Sequence, residues 1–252
     1  MKKRLGMIDS GLGGIMVLNA CVNAYPNYDY VFIGDQQHAP YGDKSKEEIH
    51  SYACDLLNYF QSQGIQDVIV ACNTICANAL DSLIKEYPHM KLHGIIDATV
   101  KELPSDVKRV LVLATAKTVA AHAYRDAILS RLSTCEVYEV AAVKLVPLLE
   151  NEGSQEALQE ALEEYLLPYQ GQVDAVVLGC THYPIVKDQI EQIIQVPVYD
   201  SDAAVVKSVP FVKHDEPGSV TIYTTKDAQL MHRQIQTIIK KDYDVKELTL
   251  SS

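Results

Sequence analysis

The chain has 252 residues, 48% hydrophobic and 22% charged, with a formal net charge of −11. That suffices for one large core or two smaller ones, and domain sizes favour two lobes. The acidic balance argues against a nucleic-acid binder, which presents a basic stripe, and no apolar run reaches the roughly 20 residues of a membrane span.

The densest basic cluster, Lys2, Lys3 and Arg4, reads as a solvated end. Arg4–Ile8 reads as a strand that meets Asp9, not as a secretory leader, so a cytoplasmic protein is expected. Asp9-Ser10-Gly11-Leu12-Gly13-Gly14 is a glycine-rich turn leading into a helix from Ile15 to about Ala24. A second strand, Tyr30–Ile33, runs into the loop Asp35-Gln36-Gln37-His38-Ala39-Pro40-Tyr41-Gly42. Ser45–Gln63 is helical, with Ser45 and Glu48 placed as a capping box. The strand Asp67–Ala71 ends at Cys72-Asn73-Thr74, and Leu92–Ile96 and Arg109–Ala114 are further apolar strands. Helices are expected over Thr118–Leu132, Ser154–Leu167 and Pro184–Ile194. Between the last two, strand Asp174–Leu178 runs into Gly179-Cys180-Thr181-His182-Tyr183-Pro184. The tail offers a strand, Ser219–Thr224, and a helix, Lys226–Ile239.

Alternating strands and helices indicate an α/β protein with largely parallel sheets flanked by helices. The chain also echoes itself. Asp67–Ala71 leading to Cys72, and Asp174–Leu178 leading to Cys180, each place a Cys just past a buried strand. Two similar lobes with a site between them account for this.

The glycine-rich turn could bring backbone N–H groups to an anion at a helix N-terminus. Asp9 would repel a phosphate there and suits an amine or a proton-transfer task instead. A lone buried Cys is ordinarily an inert small hydrophobe. Cys72 and Cys180, in matched contexts and followed by hydrogen-bonding residues, point to paired acid/base thiols. Two other readings stay open on the residues alone. Cys72, Cys76, Cys180 and His182 could be gathered into a zinc site, although structural zinc prefers tighter Cys-x2-Cys pairs. A single Cys–His nucleophile would leave the other matched Cys without a task. Cys21, Cys54 and Cys135 read as core residues. Reduced thiols are expected of all six Cys.

These motifs, in this order, resemble the cofactor-independent aspartate/glutamate racemase superfamily, and within it the bacterial glutamate racemases. The likeness rests on Asp9–Gly14, Gly34–Gly42, Ala71–Thr74, Leu113–Thr115, Val146–Glu150, Gly179–Pro184 and Tyr223–Asp227. It implies two lobes, residues 1–96 with 207–252 and residues 97–206, with the site between them. It implies Cys72 and Cys180 as catalytic thiols, assisted by Asp9 and His182. Asp9, Ser10, Tyr41, Gly42, Asn73, Thr74, Thr181 and His182 would contact substrate, with Asp35 and Glu150 as supporting acids. It implies glutamate as substrate, D-glutamate for peptidoglycan as product, and no cofactor or metal; no Lys falls inside Asp9–Gly14, Asp35–Gly42, Cys72–Thr74 or Gly179–Pro184 to offer itself to pyridoxal. A homodimer is a possible assembly. An aspartate racemase and a non-catalytic regulatory homologue are the rival readings; the aspartate branch usually carries Glu where His182 stands. The chain departs from the family at Gln36-Gln37-His38-Ala39, at Ile75-Cys76 and at Asp97-Ala98.

Overall fold

The computed structural model describes residues 4–150, 153–211 and 216–250; Lys2 and Lys3 of the terminal basic cluster lie outside them. Strand β1 (Arg4–Asp9) is buried over all but its first residue. Such a strand must be covered on both faces, which a parallel sheet between helices provides. It leads through the glycine turn to α1 (Gly14–Ala24), then β2 (Asp29–Gly34) and α2 (Lys46–Ser62). The expected capping box is formed: Glu48 N–H donates to Ser45 Oγ at 3.1 Å, and Ser45 N–H to Glu48 Oε2 at 2.8 Å. Such a cap contributes about 1 kcal/mol. Helix α2 buries Ile49, Ala53, Leu56, Leu57 and Phe60, one apolar stripe at helical spacing. The chain continues through β3 (Asp67–Val70), α3 (Asn73–Asn78), α4 (Leu80–Glu86), β4 (Lys91–Gly94) and α5 (Ile95–Lys101).

The second half opens with β5 (Arg109–Ala114), followed by α6 (Ala116–Ala120), α7 (Ala123–Arg131), β6 (Glu136–Ala141), α8 (Leu145–Glu150) and α9 (Gln155–Leu166). Then come β7 (Ala175–Gly179), α10 (Lys187–Ile194), β8 (Val198–Tyr199) and α11 (Ser201–Ser208). The tail returns to the first sheet as β9 (Val220–Thr224), α12 (Ala228–Ile239) and β10 (Val245–Glu247).

Among the described residues the strands form two sheets, ordered β10-β9-β2-β1-β3-β4 and β6-β5-β7-β8, with every pairing parallel. Without the two returning strands, the first sheet reads β2-β1-β3-β4, which matches the second position by position. The echo in the sequence is the trace of that repeat. In each half the chain runs from the opening strand to one neighbour, then crosses to the other. Such a reversal opens a crevice at the carboxyl ends of the strands. Cys72 follows β3 and Cys180 follows β7, so both thiols stand at equivalent crevices.

Several elements differ from the expectations. The strand expected over Leu92–Ile96 ends at Gly94, where α5 begins. Ile95 packs into the core under β1, and Ile96 into the core beneath β5 and β7. The helix expected over Thr118–Leu132 breaks at His122, whose φ of 52° is left-handed and stops helical hydrogen bonding. The segment from Pro184 begins as a 3-10 turn, Tyr183–Val186, before α10. Strand β6 carries no apolar run because it is a sheet edge, half exposed along its length. Helix α11 bridges the halves: it begins right after β8, yet Val205 packs with Leu5, Met7 and Leu18 in the first core.

Candidate active site

Register places the site residues. Asp9 pairs with Gly34, and Ile8 with Val70, so Ser10, Asp35 and Cys72 emerge side by side from the first sheet. Ala114 pairs with Gly179 and Ala141, which brings Thr115, Cys180 and Ala142 out together from the second. A cavity of about 230 Å³ lies between these two edges. It is smaller than the roughly 300–1,000 Å³ of drug-sized pockets and suits a small molecule. Ser10, Tyr41, Gly42, Cys72, Asn73 and Thr74 line it from the first half, and Glu150, Cys180, Thr181 and His182 from the second. Cys72 and Cys180 are buried and free of disulfides.

Asp9 and Asp35 do not line the cavity. Asp9 is fully buried beneath it. Its Oδ2 accepts the Gly11 N–H at 3.0 Å, and the nearby backbone at Ser10 and Gly14 also pulls the carboxyl's pKa down. The group cradled by the glycine-rich turn is therefore the protein's own Asp9 side chain, which answers why an Asp precedes such a turn. Asp9 Oδ1 has no partner and is sealed from water. Burial pushes the Asp9 carboxyl above its usual range, against His182 and the backbone N–H groups, which pull it down. Cys72 donates to Ser10 Oγ at 3.4 Å. Burial first, and the Asp9 carboxylate second, push its thiol well above the ordinary range.

Asp35 is the hub of the loop that carries Tyr41. Tyr41 O–H donates to Asp35 Oδ2 at 2.6 Å, and Thr225 Oγ1 to Oδ1 at 2.7 Å. His38 Nδ1 lies 2.8 Å from Oδ2 while its ring stacks on Tyr52 with centroids 4.0 Å apart. The His38 side chain is thus built into the loop, whose Pro40–Gly42 segment lines the cavity.

On the second half, Cys180 Sγ lies 3.8 Å from His182 Nδ1. His182 Nε2 lies 2.8 Å from Glu150 Oε1, an ion-pair contact at an angle outside a hydrogen bond's. Burial alone would push the imidazolium pKa down; Cys180 and Glu150 outweigh it and hold it up at about 10. The protonated form of the imidazole is thus favoured over the neutral ring. Cys76 turns away, donating to Val70 O at 3.2 Å. Among the described residues, no metal-ligand grouping joins Cys72, Cys76, Cys180 and His182.

Contacts across the two halves hold the cavity together. Tyr124 O–H donates to Asn73 Oδ1 at 2.6 Å, and Thr74 Oγ1 lies 3.1 Å from Thr115 Oγ1. A Cβ on Gly13 would come within 2.3 Å of Thr181 Oγ1 and 2.6 Å of His182 Nδ1, so only glycine lets the first turn approach the second. Asn73 Nδ2 is left buried and unpaired in a residue that lines the cavity. The sequence reading missed Thr115, Asp43, Val143, Val146 and Pro147 as lining residues. Thr115, next after the strand paired with β7, carried a signal in the Leu-Ala-Thr motif, and Val146 and Pro147 in the Val146–Glu150 motif; Asp43 and Val143 needed the fold. The arrangement offers two proton carriers, one from each sheet, and neutral donors between them.

The chain matches the Asp/Glu/Hydantoin racemase family over residues 11–209. It is 39% identical over 250 residues to the glutamate racemase of Aquifex aeolicus, covering 96% of each chain. The structure of glutamate racemase from Francisella tularensis in complex with D-glutamate superposes with a TM-score of 0.92 at 25% identity, covering 99% of this chain and 98% of that one. The Aquifex pyrophilus glutamate racemase structure gives a TM-score of 0.81 at 32% identity, over 97% and 98%.

Proposed function

From a chain that belongs to the Asp/Glu/hydantoin racemase family, we propose catalysis of the interconversion of L- and D-glutamate by two thiols without a cofactor. The observation that carries the mechanism is the pair of buried free thiols, Cys72 and Cys180, at equivalent crevices and lining one cavity. Racemisation removes the Cα proton from one face and returns a proton to the other. One base cannot easily serve both faces; two groups on different walls can.

In the L-to-D direction Cys180, as thiolate beside the His182 imidazolium, takes the Cα proton. The electron pair left on Cα spreads into the substrate carboxylate. Donors from Ser10, Asn73, Thr74 and Thr181 hold that carboxylate, and the unpaired Asn73 Nδ2 is suited to it. Cys72, kept as a thiol by burial and Asp9, gives its proton to the opposite face. The D-to-L direction reverses these roles. Asp9 acts on Cys72 through its charge from beneath the cavity, and Glu150 sustains the charge of His182. Tyr41 and Gly42 wall the substrate from solvent, with Asp35 holding their loop. The acid/base set is complete without metal or pyridoxal. Dialysis against a chelator is expected to leave the turnover rate unchanged, and restoration of lost activity by zinc would overturn that point.

We place residues 1–96 with 207–252 in one lobe and 97–206 in the other, with α11 spanning the boundary. D-Glutamate made in the cytoplasm for peptidoglycan is the role this activity fits; among the described residues no helix is long and apolar enough to cross a membrane. A homodimer is a possible assembly that sedimentation would measure. The deciding experiment follows optical activity of D- and of L-glutamate with the purified protein. Both are expected to converge on an equal mixture while aspartate stays unchanged. Turnover of aspartate alone would make it an aspartate racemase, and turnover of neither a non-catalytic homologue.

A further inference from the structure

The first half carries a second cluster of reactive side chains, and none of its members lines the catalytic cavity. His50 and Cys54 are four residues apart on α2 and therefore share a face. Glu86, the last residue of α4, reaches the same spot. His50 Nε2 lies 3.1 Å from Glu86 Oε2. Cys54 Sγ lies 3.9 Å from His50 Nε2 and 3.9 Å from Glu86 Oε1. One donor atom from each residue lies within 4.8 Å of the other two. In a tetrahedral zinc site, the usual bond lengths set sulfur–nitrogen and sulfur–oxygen edges of about 3.6 Å and nitrogen–oxygen edges of about 3.4 Å. His50 Nε2 stands close to those separations from both Glu86 Oε2 and Cys54 Sγ, and the other carboxylate oxygen, Oε1, stands likewise from Sγ, so an ion could enter with small side-chain shifts.

We propose that His50, Cys54 and Glu86 form a zinc site with an open fourth position, separate from the catalytic cavity. A thiolate, an imidazole and a carboxylate suit a borderline-soft dication, whereas magnesium and calcium take oxygen ligands. His50 is 30% exposed and Glu86 51%, so the ion has a path from solvent and a water can fill the fourth position. Burial raises the Cys54 pKa. The ion must displace the thiol proton to solvent. A bound ion would tie α2, which follows the Tyr41 loop, to α4, which follows α3, the helix that begins just after Cys72. It would brace the fold and leave the reaction alone.

The test loads metal-stripped protein with Zn²⁺ in a calorimeter and, in parallel, with Co²⁺ in a spectrophotometer. One ion per chain, a thiolate-to-cobalt band and a raised Tm are expected. Cys54→Ser should lose the band. Because losing even an outer-sphere partner costs roughly 10–100-fold, Cys54→Ser, His50→Ala and Glu86→Gln should each weaken Zn²⁺ binding by at least about tenfold. The racemase rate should not change when one equivalent is added. A band that survives in Cys54→Ser, or stoichiometric Zn²⁺ that inhibits racemisation, would place the ion on the catalytic thiols and overturn the site. Failure of the proposed racemase activity would leave the binding data untouched.

Discussion

At His182 burial and neighbouring charge act in opposite directions, and the neighbours prevail: burial lowers the pKa, Cys180 and Glu150 raise it, and it rests at about 10. Glu150→Gln removes part of what holds the proton, so the imidazolium is lost at lower pH. The alkaline limb of kcat for the L-to-D reaction should move down in pH, with a smaller effect near neutrality. An unmoved limb would mean that Glu150 does not sustain His182. Cys72→Ser and Cys180→Ser test the thiols themselves. A hydroxyl is a far weaker acid at similar volume, so kcat should fall at least about 10²–10⁴-fold. The circular dichroism spectrum and Tm should stay near those of the parent chain, and full activity in either variant would exclude the two-thiol mechanism. The candidate thiols were legible in the sequence because the same pattern, buried strand then Cys then polar residues, occurs twice. The Asp9 orphan oxygen and the Tyr124–Asn73 bond were not legible, because their partners lie on other elements.

Turns position these residues, and the glycine turn between β1 and α1 has two tasks. It wraps Asp9 in backbone N–H groups, and at Gly13 it leaves room for Thr181 and His182. The φ of Gly13, −57°, is one any residue adopts, so the constraint is space alone. Gly13→Ala should therefore lower kcat strongly, by displacing His182, and should cost about 1–3 kcal/mol of stability as the halves are pushed apart. Chemical denaturation and initial rates measure the two effects; parent-like rates would mean that the contact is not needed for turnover. Helices with local signals were read well. Ser45 and Ser154 each cap the helix that follows, because capping depends only on residues three apart. Elements whose identity depends on distant partners were read poorly. Edge strands β6 and β10 bury little, so no apolar run announces them. His122 carries no glycine signal for its left-handed break.

Across the whole molecule, the crossing from the second sheet back to the first puts a charge in a costly place. Asp202, near the start of α11, has an Oδ1 atom that is buried and unpaired. Burial first and Asp200 second raise its pKa from the ordinary 3.8 to about 8, with Lys187 pulling the other way. The folded chain thus keeps a proton that the unfolded chain sheds near pH 4. This group's contribution to stability is fully present below about pH 4 and is lost as pH rises through about 8. Asp202→Asn should be close to neutral at pH 4 and should stabilise by on the order of 2 kcal/mol at pH 9. Urea unfolding at the two pH values reads this, and an equal effect at both would exclude burial of the charge as its cause. By itself the sequence determined the α/β class, the two halves, the pairing of Cys72 with Cys180 and the residues near them, because buried parallel strands and strand-end motifs are written in local patterns. Tertiary structure alone decided that Asp9 lies beneath the cavity, that Asp35 holds a loop, that Glu150 faces His182, and that α11 packs into the first core. Each of those depends on which sheet edges meet, and that is set by packing between segments far apart in the chain.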